Sequence, residues 1–293
     1  MRRSMLFVPG NNPKMMVNCG FLGADAIIFD LEDAVSPEEK DAARLLVKYA
    51  ISNLELCGCE VIVRVNAVDT PLFADDLAAI LPQHPALIML PKTASAADIQ
   101  LCDTAIAAHE RAQGIPVGST GIIALIETAL GVENAFAIAT AAPRVRGLFL
   151  GAEDLSADLH CSRTRAGQEI FYARTRLVMA ARAAGIAVYD TPFTDVNDDA
   201  GIVEDSRTAR ALGFDGKASI SPRHVSAINR CFSPTQSEVD YAREVLDAIE
   251  AGRRMGKGAV ALRGKMIDAP IVARAEQTLA AAEAILAKGG TLA

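Results

Sequence analysis

Acidic residues stand where short apolar runs of this chain end, and their spacing suits metal chemistry. Asp30, Glu32 and Asp33 close AIIFDLED, Glu127 closes GIIALIE, Glu153 and Asp154 follow GLFLGA, and Asp190 closes IAVYD. If the runs at 121–127 and 147–151 are neighbouring strands about 4.8 Å apart, Glu127 and Asp154 can reach one ion. Two carboxylates with no histidine near them in sequence suit a hard cation, Mg²⁺ or Mn²⁺. Such an ion keeps several waters and takes substrate oxygens. Arg64, set inside VIVRVN, carries the planar fork that grips a carboxylate at two points. A metal beside an arginine-held carboxylate is the chemistry these residues suggest.

Each of these residues also has a plainer use. A carboxylate just after a buried strand often caps the next helix, which applies to Asp154, Asp33 and equally Ser36. Arg64 inside a strand needs a partner, and Asp30 or Glu32 would serve. Lys92, after ALIMLP, and Lys217, in GKASI, open a different chemistry. A desolvated strand-end lysine forms a Schiff base with a keto acid, or simply binds an anion. The metal reading is preferred because it uses two adjacent acids and leaves Arg64 for substrate. The four histidines show no i,i+4 pairing or strand-end placement. The six cysteines are scattered, with only Cys57 and Cys59 close together, so no zinc knuckle is formed.

The elements that must position these groups are legible as eight short apolar runs. They are Ser4–Val8, Ala26–Leu31, Val61–Asn66, Ala86–Leu90, Gly121–Glu127, Gly147–Gly151, Ile186–Asp190 and Gly216–Ile220. Nearly continuous apolar character suits parallel strands buried on both faces. Between them, Ser36-Pro37-Glu38-Glu39 reads as a capping box, and Ser95 opens a helix through Ala112. Further helices run from about Thr164 to Gly185 and from about Asp198 to Gly213. Eight strands alternating with helices predict an α/β protein, a (β/α)₈ TIM barrel over residues 1–232. Catalytic groups of that architecture collect at the C-terminal strand ends, where the acids stand. A doubly wound open sheet is the runner-up, but no glycine-rich dinucleotide or phosphate loop follows any strand. Residues 233–293 remain as a C-terminal helical extension. Its expected parts are a helix from about Glu238 to Gly252, a glycine-bounded segment from Gly256 to Asp268, and a last helix from Ile271 to Ala287.

Composition narrows the class further. With 29 Lys+Arg against 36 Asp+Glu and a net charge of −7, no basic tract points to nucleic acid. No apolar run approaches the ~18–20 residues of a membrane span. The stretch Met5–Val8 stops at Pro9, too short for a signal-peptide core. The expected setting is cytoplasmic, with reduced thiols.

At these residues the chain resembles a known family. RRSMLFVPGNNP, FDLEDAV, VRVNA, LPKT, GSTGIIALIETALG, GAEDL, GFDGKASISPRH and GKMIDAPIV follow in order. Together they resemble the citrate lyase beta subunit and its relatives, the malyl-CoA, citramalyl-CoA and citryl-CoA lyases of the metal-dependent aldolases. The likeness runs from about residue 2 to about residue 285. It implies a Mg²⁺-dependent carbon–carbon lyase (Mn²⁺ as substitute) that cleaves a 3-hydroxyacyl thioester, citryl favoured, to an acetyl thioester and oxaloacetate. It implies Glu127 and Asp154 as metal ligands, with Glu32 and Asp33 in the metal's outer shell. Arg64, Glu127, Gly151 and Ala152 are the implied substrate contacts. Asp268 is the implied acid/base, delivered from the adjacent subunit by the C-terminal segment.

The loop Pro9-Gly10-Asn11-Asn12, with Arg3, Lys14 and Lys92, is the implied site for the CoA or phosphopantetheine arm. Implied partners are a CoA or carrier-protein thioester, citrate lyase alpha and gamma subunits, and further copies of the chain in a trimer or hexamer. A stand-alone malyl-CoA or citramalyl-CoA lyase is the alternative within the family. Outside that chemistry stand the Schiff-base aldolase and a non-catalytic scaffold subunit.

Overall fold

A computed structural model describes residues 1–254 and 260–293. Eight strands close into a parallel barrel in sequence order: β1 (Ser4–Pro9), β2 (Ala26–Asp30), β3 (Glu60–Arg64), β4 (Leu87–Leu90), β5 (Gly121–Ile126), β6 (Val145–Leu150), β7 (Ala187–Asp190) and β8 (Gly216–Ser219). The surrounding helices are α1 (Pro13–Met16), α2 (Lys40–Asn53), α3 (Leu72–Ile80), α4 (Ala96–Ala112), α5 (Ala129–Glu133) and α6 (Ala135–Ala139). They continue as α7 (Ala152–Asp158), α8 (Phe171–Ala184), α9 (Asp199–Leu212) and α10 (Pro222–Phe232). Every expected strand is present within a few residues of its predicted ends, and the open-sheet alternative is excluded by closure between β1 and β8.

Strand alternation sorts the side chains. Met5, Ala26, Ile28, Ile62, Leu87, Met89, Ile123, Leu125, Phe149, Tyr189 and Ala218 fill the barrel, with Phe7 packed against them. Because the period is two, the next inward positions at the C-terminal mouth are Asp30, Arg64, Glu127, Gly151, Thr191 and Ile220. All six line a cavity there. The same parity turns Asp190 and Lys217 outward, toward the helical layer.

Helix boundaries show two corrections. Residues 37–39 form a 3₁₀ turn and α2 begins only at Lys40, with no side-chain cap from Ser36. Glu39, which a capping box would return to the Ser36 N–H, accepts from Asn11 Nδ2 at 2.5 Å and from the Ser36 hydroxyl at 3.4 Å. The helix expected from Thr164 starts at Phe171, because Gly167 takes a positive φ of 64° and Glu169 closes a turn on Thr164. The glycines at 185 and 213 end α8 and α9 in left-handed conformation, as predicted. Likewise Ser95 precedes α4, its N–H donating to Asp98 at 2.8 Å.

The chain divides into two compact units, Arg2–Ile228 and Asn229–Ala293 with Met1, the division falling within α10. In the second unit, α11 (Gln236–Arg254) and α12 (Ala269–Ala287) pack with an antiparallel hairpin of β9 (Val260–Leu262) and β10 (Lys265–Ile267). Ala242, Val245, Ile267 and Ala275 are its buried centre. Residues 256–259 of the expected glycine-bounded segment lie outside the described residues.

Candidate active site

The cavity at the C-terminal mouth measures about 460 Å³. Its lining combines apolar Phe7, Met15, Leu125, Phe149 and Ile220 with charged Asp30, Asp33, Arg64, Glu127 and Asp154. Arg64 ends β3 in register with Asp30 at the end of β2. Its Nε and Nη2 donate to the two Asp30 oxygens at 2.7 and 2.6 Å. Its Nη1 faces Glu32 at 3.0 Å and Asp33 at 3.5 Å, and its plane lies over the Phe7 ring at 5.1 Å. Burial alone would raise the Asp30 carboxyl, but the Arg64 fork and two backbone N–H groups hold it below the ordinary carboxylate range.

Glu127 is buried beside the other acids. Burial, then the charges of Glu32 and Asp154, push it up to about 8 against a backbone N–H bond from Lys92 at 2.6 Å. Lys92 itself has a positive φ of 51°, unusual for a residue with a side chain. The absence of a side chain at Gly151 makes room for the Glu127 carboxylate, since a Cβ there would meet Oε2 at 2.6 Å. Asp154 lies in the first turn of α7, whose N-cap is Gly151. The Ala152 N–H donates to the Thr191 hydroxyl at 3.2 Å, which ties that turn to β7.

The donor set suits a divalent cation that keeps waters. Among the described residues, no group of three or more His, Cys, Asp or Glu side chains could close around an ion alone. Glu127 and Asp154 instead leave positions for water and substrate oxygens, the habit of Mg²⁺. Five carboxylates (Asp30, Glu32, Asp33, Glu127 and Asp154) gather around Arg64 and Lys92. A buried Glu32 oxygen, Oε2, faces Arg64 Nη1 at 3.0 Å.

The model of the HpcH/HpaI aldolase/citrate lyase family matches residues 3–222. The chain belongs to this family. A citrate lyase subunit beta from Leuconostoc mesenteroides subsp. cremoris is 44% identical over 284 residues, covering 97% of this chain and 94% of its own. An L-malyl-CoA/beta-methylmalyl-CoA lyase from Cereibacter sphaeroides is 34% identical, covering 97% and 96%. Among solved structures, Mycobacterium tuberculosis CitE in complex with magnesium, acetoacetate and coenzyme A is 33% identical. It superposes with a TM-score of 0.78 over 96% of this chain and 98% of its own.

Within this family member, the residues expected from sequence divide into three groups. Glu32, Asp33, Arg64, Glu127, Gly151, Ala152 and Asp154 converge on one cavity or its rim. Pro9 lines the same cavity. Asn11 bonds to Glu39, Asn12 caps α1 through its Oδ1, and Lys14 is exposed on α1. Asp268 lies in the C-terminal unit, exposed, where its side chain caps α12 by accepting from the Ile271 N–H at 3.1 Å.

Three lysine and arginine readings change. Lys217 is fully buried, and its Nζ donates at 2.6 Å to Asp190, Asp205 and the Thr191 carbonyl. It points away from the barrel interior and cannot act as a Schiff-base nucleophile at the mouth. Lys92 sends its ammonium into the acidic cluster rather than outward to a thioester arm. It bonds to Glu32 and lies 3.6 Å from Asp33 and 3.8 Å from Asp154. Burial works against its charge, but these acids raise its pKa, so it stays an ammonium and a poor nucleophile. Arg3 precedes β1 and therefore sits at the opposite end of the barrel, paired with Asp25 at 2.8 Å. Sequence reading named Asp30 among the strand-end acids and as a partner for Arg64, and did not place Phe7 or Thr191 in the site. The period-two continuation of the barrel-filling rows is the signal that identifies them.

Proposed function

We propose that this chain is a Mg²⁺-dependent carbon–carbon lyase of the citrate lyase beta subunit type. Its substrate is a 3-hydroxyacyl thioester, citryl first, and its products are an acetyl thioester and a 2-oxo acid, oxaloacetate. The observation that carries the reading is the convergence of Glu127, Asp154 and Arg64 on one half-apolar cavity at the barrel mouth. The 44% identity to a citrate lyase beta subunit over nearly the full length supports the citryl thioester.

Glu127 and Asp154 hold Mg²⁺, which supplies Lewis-acid polarisation when bound. Arg64 binds the carboxylate of the oxo-acid half. The wall of Phe7, Leu125, Phe149 and Ile220 keeps water from the forming enolate. The hydroxyl proton leaves to a base and the carbon–carbon bond breaks. Its electron pair passes to the thioester as an enolate, which takes up a proton at carbon. Asp268 is the assigned acid/base, brought by the C-terminal segment of an adjacent copy in a homo-oligomer. Such a positioned group contributes about 10²–10⁴-fold. The loop at Pro9–Lys14 receives the CoA or carrier arm, and alpha and gamma subunits are the partners if the arm belongs to a carrier.

The test is release of oxaloacetate, pyruvate or glyoxylate from citryl-, citramalyl- and malyl-CoA, each with Mg²⁺ and then with EDTA. EDTA-sensitive oxaloacetate release from citryl-CoA supports the assignment, and stimulation by carrier protein supports the complex subunit. Release from malyl- or citramalyl-CoA alone moves the protein to the stand-alone lyases. Activity indifferent to EDTA overturns the metal assignment.

A further inference from the structure

We propose that Asp30 is a positioning residue that fixes the Arg64 guanidinium in the orientation a 2-oxo acid requires. The inference rests on the reading of Arg64 as the carboxylate-binding residue. Asp30 and Arg64 end adjacent strands in register, so their side chains emerge side by side at the mouth. The Asp30 carboxylate takes the Nε–Nη2 edge of the guanidinium in two bonds of 2.7 and 2.6 Å. It is itself immobilised, because the same two oxygens accept the N–H groups of Glu32 at 2.9 Å and Ala34 at 3.1 Å. Four bonds therefore lock a carboxylate that is 2% exposed. Phe7 packs beside the same group, its ring centroid 5.1 Å from the guanidinium carbon.

Without Asp30, Arg64 has two acids left, Glu32 at 3.0 Å and Asp33 at 3.5 Å, both on the Nη1 side. The guanidinium would turn toward them and present the wrong edge to substrate. Asp30→Asn changes no volume but puts an amide donor or a single acceptor against a donor fork. Charge-assisted bidentate pairs are worth enough that losing one half weakens ligand binding by about 10- to 100-fold.

The experiment uses the full chain with Mg²⁺ and measures pyruvate and oxaloacetate binding by calorimetry, alongside Mn²⁺ binding alone by electron paramagnetic resonance. Asp30→Asn is expected to weaken oxo-acid binding by about 10- to 100-fold, as Arg64→Lys does, while Mn²⁺ affinity stays at the wild-type value. Wild-type oxo-acid affinity in Asp30→Asn, with Arg64→Lys weakened, overturns the positioning role and leaves the reading of Arg64 standing. Wild-type affinity in both removes the reading of Arg64 and the proposal with it. Loss of Mn²⁺ affinity in Asp30→Asn also overturns the proposal, since the acid would then be organising the whole cluster. Should Asp30→Asn fail to fold, Asp30→Glu keeps the charge and displaces the fork by one methylene. The same separation of oxo-acid from Mn²⁺ affinity is then required.

Discussion

Replacing Gly151 by alanine tests the proposed metal pair, Glu127 and Asp154, through a single methyl group. Gly151 has φ −98° and ψ 92°, a backbone that alanine adopts without strain. The cost is therefore steric. The new Cβ would meet Glu127 Oε2 at 2.6 Å, Glu127 Cβ at 2.7 Å and Leu125 Cδ1 at 3.1 Å. Ordinary contact needs about 3.5 Å, so the Glu127 carboxylate must retreat by roughly 0.9 Å. Metal sites tolerate only about 0.2 Å in ligand distance, so the carboxylate leaves its coordinating position. Overpacking of this kind costs about 1–3 kcal/mol. Taken from metal binding, that is a loss of about 5- to 150-fold in affinity. Titration with Mn²⁺ by electron paramagnetic resonance measures it directly, with thermal unfolding of the metal-free protein as the companion. Weaker Mn²⁺ binding with an intact fold is expected. Wild-type Mn²⁺ affinity in a folded Gly151→Ala protein would refute Glu127 as a ligand in this geometry.

Three further outcomes follow from the same structure. Lys217→Met strips a buried cation from Asp190 and Asp205 and should cost about 3–5 kcal/mol in urea unfolding; a loss below about 1 kcal/mol would mean the buried network is not holding the outer face of β7 and β8. Asp268→Asn keeps a helix cap of equal quality, so thermal stability should hold while kcat falls by about 10²–10⁴-fold. Equal turnover would leave Asp268 with its capping role alone. His224, fully buried beside Phe193, is held below its ordinary value by burial, with Asp199 opposing and Arg223 and Lys217 assisting. The unfolded chain then binds the proton first, so this group subtracts stability as pH falls below about 6.5, by at most ~1.4 kcal/mol per pH unit. Urea unfolding of His224→Gln at several pH values should show a flatter acid limb than wild type; parallel limbs would contradict it.

Much of this protein is legible in local pattern. A strand buried on both faces must be apolar nearly throughout, so eight short Ile/Val/Leu/Phe runs announce a closed parallel barrel without any knowledge of contacts. Glycines 185 and 213 mark helix ends because left-handed backbone favours them. The acids 32, 33, 127 and 154 stand out because the strands they follow carry almost no other charge.

Tertiary structure decided which charges serve the cavity and which serve the fold. Lys217 and Lys92 look alike as strand-flanking lysines, yet one step of strand parity sends Lys217 into the helical layer, while Lys92 brings its ammonium to Glu32 and its backbone N–H to Glu127. Asp30 and Glu32 are equal candidates for the Arg64 partner in sequence, and register gives Asp30 the two-bond position. Asp268, to which the family resemblance alone gives an acid/base role, caps α12 in its own unit. Periodicity along one chain tells how each strand is buried, but charge pairing depends on register between strands far apart in sequence, and that exists only once the barrel closes.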